Sequence, residues 1–369
     1  MSDVSPASSL SAGPAGRSGA KPVSFFEYWP GFVFYAPVAL FWAFQTIRHR
    51  SVTLPALTNP RIEAGGICGE SKNDILDLAG PEARRWIAPH VGITTPAHPG
   101  GDLAMAEAAM NEAGLAYPVV VKPDMSCNGA GVRLVEDGAA LARYLTEFPR
   151  ATRLQIQALV PHEGEAGIFY IREPGAARGR ITSITLKYAP VVTGDGRARI
   201  RDLIEADPRL NAVSSLLLAK LGTEAARVPA AGERVRLVFV GNHCRGSTFK
   251  DGRHLITQEL TDRIDAIARD IPDFHFGRFD LRYASASGLR RGEGFTIIEI
   301  NGAGSEATHI WDPETSIVEA YRTQFFHYGA AFRIGAAMRA RGVPRYGVRR
   351  LFQAWRRQKA LMALYPAND

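Results

Sequence analysis

Residues 275–305 read HFGRFDLRYASASGLRRGEGFTIIEINGAGS. Two apolar runs, FGRFDLRYA and GFTIIEING, flank a polar connection that contains glycine, the pattern of a β-hairpin. Side chains alternate faces along a strand, so Arg278 and Asp280 share one face of the first strand, and Glu299 and Asn301 share one face of the second. A connection symmetric about Leu289 and Arg290 sets Asp280 opposite Glu299 and Arg278 opposite Asn301. Two carboxylates directly opposite each other repel. The pairing needs compensation, and a divalent cation supplies it, because Asp, Glu and Asn are hard oxygen ligands suited to Mg²⁺. A hairpin with one solvated face fits the same alternation. Ile297, Ile298 and Ile300 nevertheless mark the second strand as buried, where bare carboxylates are costly.

The rest of the chain is long enough, at 369 residues with 46% hydrophobic content, for two or three packed units. Cys68, Cys127 and Cys244 are far apart and fit no metal-ligand spacing or disulfide framework, which suits a reducing compartment. The net charge of +7 is unevenly placed: from Arg322 onward there are ten Lys or Arg residues and one acid, Asp369, which leaves the body near neutral. A nucleic-acid enzyme would carry its charge around its site, so no nucleic-acid partner is expected and the basic tail reads as a separate device.

Residues 1–24 are rich in Ser, Ala, Gly and Pro and read as a disordered leader. Residues 25–50 form a hydrophobic segment read as membrane-associated. Within it, Trp29 to Ile47 is uncharged, and as a helix would span about 28 Å, close to one bilayer core. Pro30 and Pro37 also suit a kinked element lying in the interface, or a helix packed on the body. Residues 51–117 are a linker and N-terminal helical part, with a helix from about Ser71 to Ile87 that carries Lys72 in its first turn. A lysine there reads as either solvated surface or ligand.

Pro118 to Val121 reads as a buried strand with Lys122 at its end, and Asn128, Gly129 and Gly131 as a flexible turn. Such glycines let backbone N–H groups approach phosphate, and a lysine at a strand end reaches phosphate as a point charge, although a lysine before a glycine turn is also ordinary. Further on, Leu154 to Val160 and Ala166 to Arg172 read as strands, with Glu163 and Glu165 between them. ITSITLKYAPVV, holding Lys187, continues the sheet. VRLVFV and the segment through Phe249 read as a hairpin around Gly241 and Asn242, and Glu259 to Ile271 as a helix. Residues 314–340 and 347–364 read as helices, the second with Leu351, Trp355, Leu361 and Leu364 beside Arg349, Arg350, Arg356, Arg357 and Lys359. That basic amphipathic helix suits either an anionic membrane surface or packing on the body with a solvated edge.

Taken in order, the segments VVVKPDMSCNGAGV, QALVPHEGE, LKYAPVVTGDGRARIRDLI, GRFDLRY and IIEINGAGS resemble the ATP-grasp superfamily of carboxylate-amine ligases over about Ser71 to Pro313. The likeness is nearest to the D-alanine:D-alanine ligase and cyanophycin synthetase branches. It implies an α/β (α+β) fold, an ATP-grasp unit over 118–313 made of two α/β subdomains with ATP between them. An N-terminal hydrophobic helix precedes it and basic C-terminal helices follow over 314–369. It further implies that Lys122, Lys187 and Lys72 contact ATP phosphates, as does the Gly129 and Gly131 loop. Glu165 holds the ribose hydroxyls, and the Ala158 and Leu159 backbone edges the adenine. Asp280, Glu299 and Asn301 bind Mg²⁺ (Mn²⁺ as a substitute), and Arg278 and Lys187 are catalytic. Gly304 and Ser305 face the acceptor.

Gln157 stands where family members usually place a glutamate, and the full α/β domain that D-alanine ligases carry before the first lysine has no counterpart here. The implied activity is amide formation from a small carboxylate and an amine through an acylphosphate. The alternative is a phosphotransferase or a non-catalytic ATP-binding regulator at the membrane. The expected location is the cytoplasmic face of the inner membrane, or the cytoplasm.

Overall fold

The structure, a computed structural model, describes residues 23–239, 241 and 246–367. Residues 1–22 of the expected leader, Asn242 of the expected hairpin, and Cys244 lie outside the described residues.

Two antiparallel sheets carry the architecture. The first contains β1 (His90–Thr94), β2 (Val119–Pro123), β3 (Arg133–Val135) and β4 (Arg153–Ala158), in the order β1-β4-β2-β3. Further along come β5 (Gly164–Ile171), β6 (Arg180–Tyr188), the short pair β7 (Val191–Thr193) and β8 (Arg234–Arg236), then β9 (Thr248–Asp251), β10 (Phe276–Tyr283) and β11 (Phe295–Asn301). The second sheet runs β11-β10-β5-β6-β9, while among the described residues β7 and β8 pair only with each other. Among the described residues, the segments flanking Gly241 thus do not pair with each other: β8 joins β7, and β9 joins the edge of β6. Strand propensity found both segments, but which partner each meets is settled by tertiary packing.

Each sheet is apolar on the face that meets helices. Val119, Val121, Leu154 and Ile156 pack under the Asp102–Glu112 and Gly138–Glu147 helices. Ala166, Ile168, Tyr170, Phe279, Leu281 and Ile297 pack against Leu260, Ile264 and Ile267 of the Gln258–Arg269 helix. The helix expected over 71–87 is two pieces, Lys72–Asp77 and Pro81–Arg84. Pro81 is tolerated only in a helix's first turn, so it starts the second piece at Gly80.

The N-terminal apolar segment is also divided, into Gly31–Phe34 and Ala36–His49, with Pro37 in the first turn of the second helix. Fourteen residues of α-helix reach about 21 Å, short of a bilayer core of about 30 Å. Among the described residues no helix is long and apolar enough to cross a membrane, which corrects the membrane-spanning expectation for 29–47. The segment packs on the body: Phe41 stacks on Phe325, and Trp42 meets Phe332 edge-on, both on the long Ile317–Ala340 helix. Leu40, Phe44 and Ile47 remain on an exposed face.

The Val348–Met362 helix lies on the body as well. Arg350 pairs with Glu63, the Gly69 N–H donates to Gln358, and the Met362 sulfur lies 3.6 Å from the Cys127 sulfur. Beyond it, Tyr365 stacks on Phe148 and donates to the Met125 carbonyl, and Arg133 donates to the Ala367 carbonyl. The tail therefore touches both the 63–69 segment, which runs beside the second sheet, and the loop between β2 and β3.

The 65–70 segment lies against the chain leaving β11, with the Ala303 and Gly304 N–H groups donating to the Gly65 and Gly66 carbonyls. The approach is possible because Gly302 has no side chain: a Cβ there would run into the Gly65 carbonyl and come within 2.7 Å of Gly66 Cα. Gly302→Ala is expected to cost about 1–3 kcal/mol, read as a lower urea midpoint with an unchanged slope. An unchanged midpoint would show that the two segments separate freely.

Candidate functional site

A cavity of about 940 Å³ opens between the two sheets, and residues from both line it. Its floor is the hairpin. β10 and β11 pair Arg278 with Asn301 and Asp280 with Glu299, as the alternation predicts. Beyond Asp280 the register slips, so that Leu281 faces Ile297 and Ile298 is left without an opposite residue. The connection also differs from a plain turn, since it contains the Ala286–Arg290 helix.

Asp280 is 4% exposed and is held by a two-pronged fork: Arg278 Nε and Nη2 donate to its two oxygens at 2.8 Å each. Lys187 Nζ lies 3.1 Å away, and Asn301 Nδ2 donates at 3.2 Å. Burial pushes the Asp280 carboxyl up, but Arg278 and Lys187 outweigh it and hold the group well below the usual carboxylate range. Gly167, opposite Asp280 on β5, makes room for this fork, because a Cβ there would sit 3.0 Å from both Arg278 Cδ and Asp280 Oδ1. The Glu299 carboxyl is likewise raised by burial and lowered further by Lys72 and Lys122, ending below its ordinary value.

Lys72 is buried, with Nζ 3.2 Å from Glu299 Oε1 and donating to the Ser126 carbonyl at 2.6 Å. What places it is a polar network: Asp124 accepts from Ser71 Oγ and from the N–H and side chain of Asn73, while Gln155 donates to Asn73. The solvated reading of this lysine is therefore corrected. Lys122, also buried, donates to Gln157 Oε1 at 2.9 Å and across to the Ile298 carbonyl at 3.0 Å, so it ties the first sheet to the bulge in the second. Because a lysine only donates, Gln157 must turn its oxygen to Lys122, which leaves its buried Nε2 without a partner among the described residues.

Four residues along β10 from Arg278, a second row of charge crosses the sheet. Glu165 lies 3.4 Å from Lys187 Nζ and 3.3 Å from Arg282 Nη2. Sequence reading missed Arg282, although it continues the alternation of Arg278 and Asp280 on one strand face.

Ala158, Leu159 and Gly129 line the cavity, and so do Gly304 and Ser305. Some of these groups are already engaged. The Ala158 N–H donates to the Pro89 carbonyl, which removes it as a donor to a base, and Ser305 Oγ donates to the Gly302 carbonyl. A Cβ on Gly304 would lie 2.9 Å from the Gly66 carbonyl, so this glycine serves close packing as well. Gly131 does not line the cavity; its Cα faces Pro123 and Tyr365. Glu70, Glu306 and Gln358 are cavity residues that the sequence reading did not single out, and Trp355, read there as part of an amphipathic stripe, lines the cavity too.

Among the described residues no group of three or more His, Cys, Asp or Glu side chains is arranged to hold a metal. Asp280, Glu299 and Asn301 offer two carboxylates and one amide, an oxygen set suited to a cation that completes its shell with other oxygens.

No family model matches the sequence, and no curated protein matches it. Several solved structures resemble it. A bifunctional glutathione synthetase from Pasteurella multocida is 16% identical over 66% of this chain and 35% of its own, with a TM-score of 0.35. The VanG D-Ala:D-Ser ligase from Enterococcus faecalis is 15% identical over 77% and 64%, with a TM-score of 0.38. A D-alanine–D-alanine ligase from Bacillus anthracis is 14% identical over 76% and 72%, with a TM-score of 0.39. The chain thus spans about a third of the length of the glutathione synthetase.

Burial pushes Lys122 down to about 8 from its ordinary 10.5, against the pull of Glu299 and with the help of Lys72. Between those two values the unfolded chain holds the proton that the folded protein has lost, so this group makes stability rise with pH there; below about 8 the full cost of the buried cation applies. Urea titrations of wild type and Lys122→Met are expected to diverge in the wild type's favour as pH rises through that interval. A difference that stays flat would mean that Lys122 titrates normally.

Proposed function

We propose that the chain is an ATP-dependent carboxylate-amine ligase that binds Mg²⁺-ATP between its two sheets. The carrying observation is the way five cations, Lys72, Lys122, Lys187, Arg278 and Arg282, converge on the opposed acids Asp280 and Glu299 and on Glu165. These charges satisfy one another. A polyphosphate arriving with its metal suits both sets together, since the lysines can turn to phosphate oxygens while the acids turn to the cation.

In this reading Lys72, Lys122 and Lys187 hold the phosphates, with Gly129 in the loop beside them. Glu165 meets the ribose hydroxyls, and the base lies along Leu159. Asp280, Glu299 and Asn301 are the metal ligands; once bound, Mg²⁺ (or Mn²⁺) would neutralise phosphate charge. A carboxylate oxygen attacks the γ-phosphorus, the bond to the bridging oxygen breaks, and ADP leaves, giving an acylphosphate. The amine nitrogen then attacks the acyl carbon, loses a proton, and expels inorganic phosphate. Arg278, aimed into the cavity and fixed through Nη1 to the Glu306 carbonyl, stabilises the charge that develops. Gly304 and Ser305 border the acceptor.

ADP release measured against pooled acids and amines, with mass detection of product, is expected only when an acid and an amine are both present. It should fall at least about 100-fold in Glu299→Gln while the circular dichroism spectrum is retained. Full turnover in that variant would overturn the metal assignment. ADP release with a single acceptor, yielding a stable phosphorylated product, would identify a phosphotransferase instead.

A further inference from the structure

The Val348–Met362 helix buries none of its residues, yet Trp355, Gln358, Lys359 and Met362 all line the cavity. Their spacing of three and four residues puts them on one face of the helix. That face is held at two points. Gln358 accepts from the Gly69 N–H at 2.9 Å, and the Met362 sulfur lies 3.6 Å from the sulfur of Cys127, in the loop between β2 and β3. The same loop offers the Ser126 carbonyl to Lys72 and carries Gly129, the glycine placed beside the phosphates above. A helix from outside the 118–313 unit therefore closes the cavity next to that loop.

Lys359 lies between the two tethers, one residue past Gln358 and one turn before Met362. It differs from the five cations named above, each of which holds an oxygen of the protein from a carboxylate, an amide or the main chain. Among the described residues Lys359 has no oxygen partner, and its Nζ rests 5.2 Å from the centre of the half-exposed Trp355 ring. An ammonium over an exposed aromatic ring is held more weakly than one paired with an anionic oxygen. Lys359 can thus take an anionic ligand without giving up an internal ion pair.

We propose that Lys359 binds the terminal phosphate of the nucleotide, the assignment resting on the ligase reading above. The ligand has to be an acceptor, because a lysine ammonium only donates. It has to lie toward the β2–β3 loop, because Met362, one turn away on the same face, touches Cys127 there. That is the phosphate end of the cavity in this reading, and the base lies along Leu159. A substrate carboxylate presents similar oxygens, but the triphosphate carries more charge and is the ligand that the loop itself would meet. The C-terminal helix is thereby part of the site, and its Lys359 adds a phosphate contact from outside the two sheets.

Calorimetric titration of the full chain in Mg²⁺ with a non-hydrolysable ATP analogue, with ADP and with inorganic tripolyphosphate tests this. Lys359→Met should raise the Kd of the ATP analogue and of tripolyphosphate about tenfold and leave that of ADP unchanged, since ADP lacks the phosphate that Lys359 meets. Lys359→Arg, which keeps the charge, should retain most of the affinity. Arg356→Met, which removes an exposed charge from the same helix outside the cavity lining, should alter none of the three. An analogue Kd insensitive to Lys359→Met, an equal loss for ADP, or an equal loss in Arg356→Met would each overturn the contact. A raised KM for an acid found in the pooled screen, with the analogue Kd unchanged, would overturn it too and give Lys359 to the acid's carboxylate. Tripolyphosphate binding that depends on Lys359 where no nucleotide binds would keep the anchor and count against the ligase reading alone. Wild type that binds none of the three would overturn both.

Discussion

Asp280 and Glu299 are forced opposite each other on neighbouring strands, and much of the structure is arranged around making that tolerable. Opposed carboxylates repel, and with Asp280 buried and Glu299 only partly exposed, water relieves them little. The fold answers with cations from every side: Arg278 from the same strand, Lys187 from two strands away, Lys72 from a helix start, and Lys122 from the other sheet beside Lys72 and Glu299. A charge cluster buried in this way is poor evidence of stability for its own sake, and it suits the proposed charged ligand, which would replace some of these contacts.

Smaller features follow from the same constraint. Gly167 leaves the space that the Arg278 fork occupies, and the slip after Asp280 frees the Ile298 carbonyl to take a hydrogen bond from Lys122. The glycines at 65, 66, 302 and 304 bring the 65–70 segment against the hairpin exit, which sets both Lys72 and Glu70 in the cavity wall. The C-terminal helix then bridges that segment and the β2–β3 loop. Its basic residues are carried on a helix with real contacts to the body, so their charge does not by itself speak for a membrane.

The hairpin and the opposition of its acids were legible because a strand's period of two makes each face readable, and because the register is anchored at the open end. The slip was not legible: an extra residue at Ile298 leaves no mark in an alternating pattern. Lys122 and Gly129 stood in a recognisable order, whereas Lys72 could be read either way. Its place depends on Asp124, Asn73 and Gln155 meeting from separate segments. Arg282 lay within the visible alternation and was passed over. Glu70 carried no local pattern at all. The membrane-spanning expectation failed on Pro37, which begins a new helix where a continuous apolar run suggested one.

In the proposed function the opposed acids receive a metal that arrives with nucleotide phosphate. Pulsed electron paramagnetic resonance of bound Mn²⁺ in the presence of a non-hydrolysable ATP analogue tests it most directly. Phosphorus hyperfine coupling to protein-bound Mn²⁺ is expected, absent without nucleotide and lost when Asp280 and Glu299 are both replaced by their amides. Nucleotide binding that persists in chelator, with no coupling between manganese and phosphorus, would contradict it.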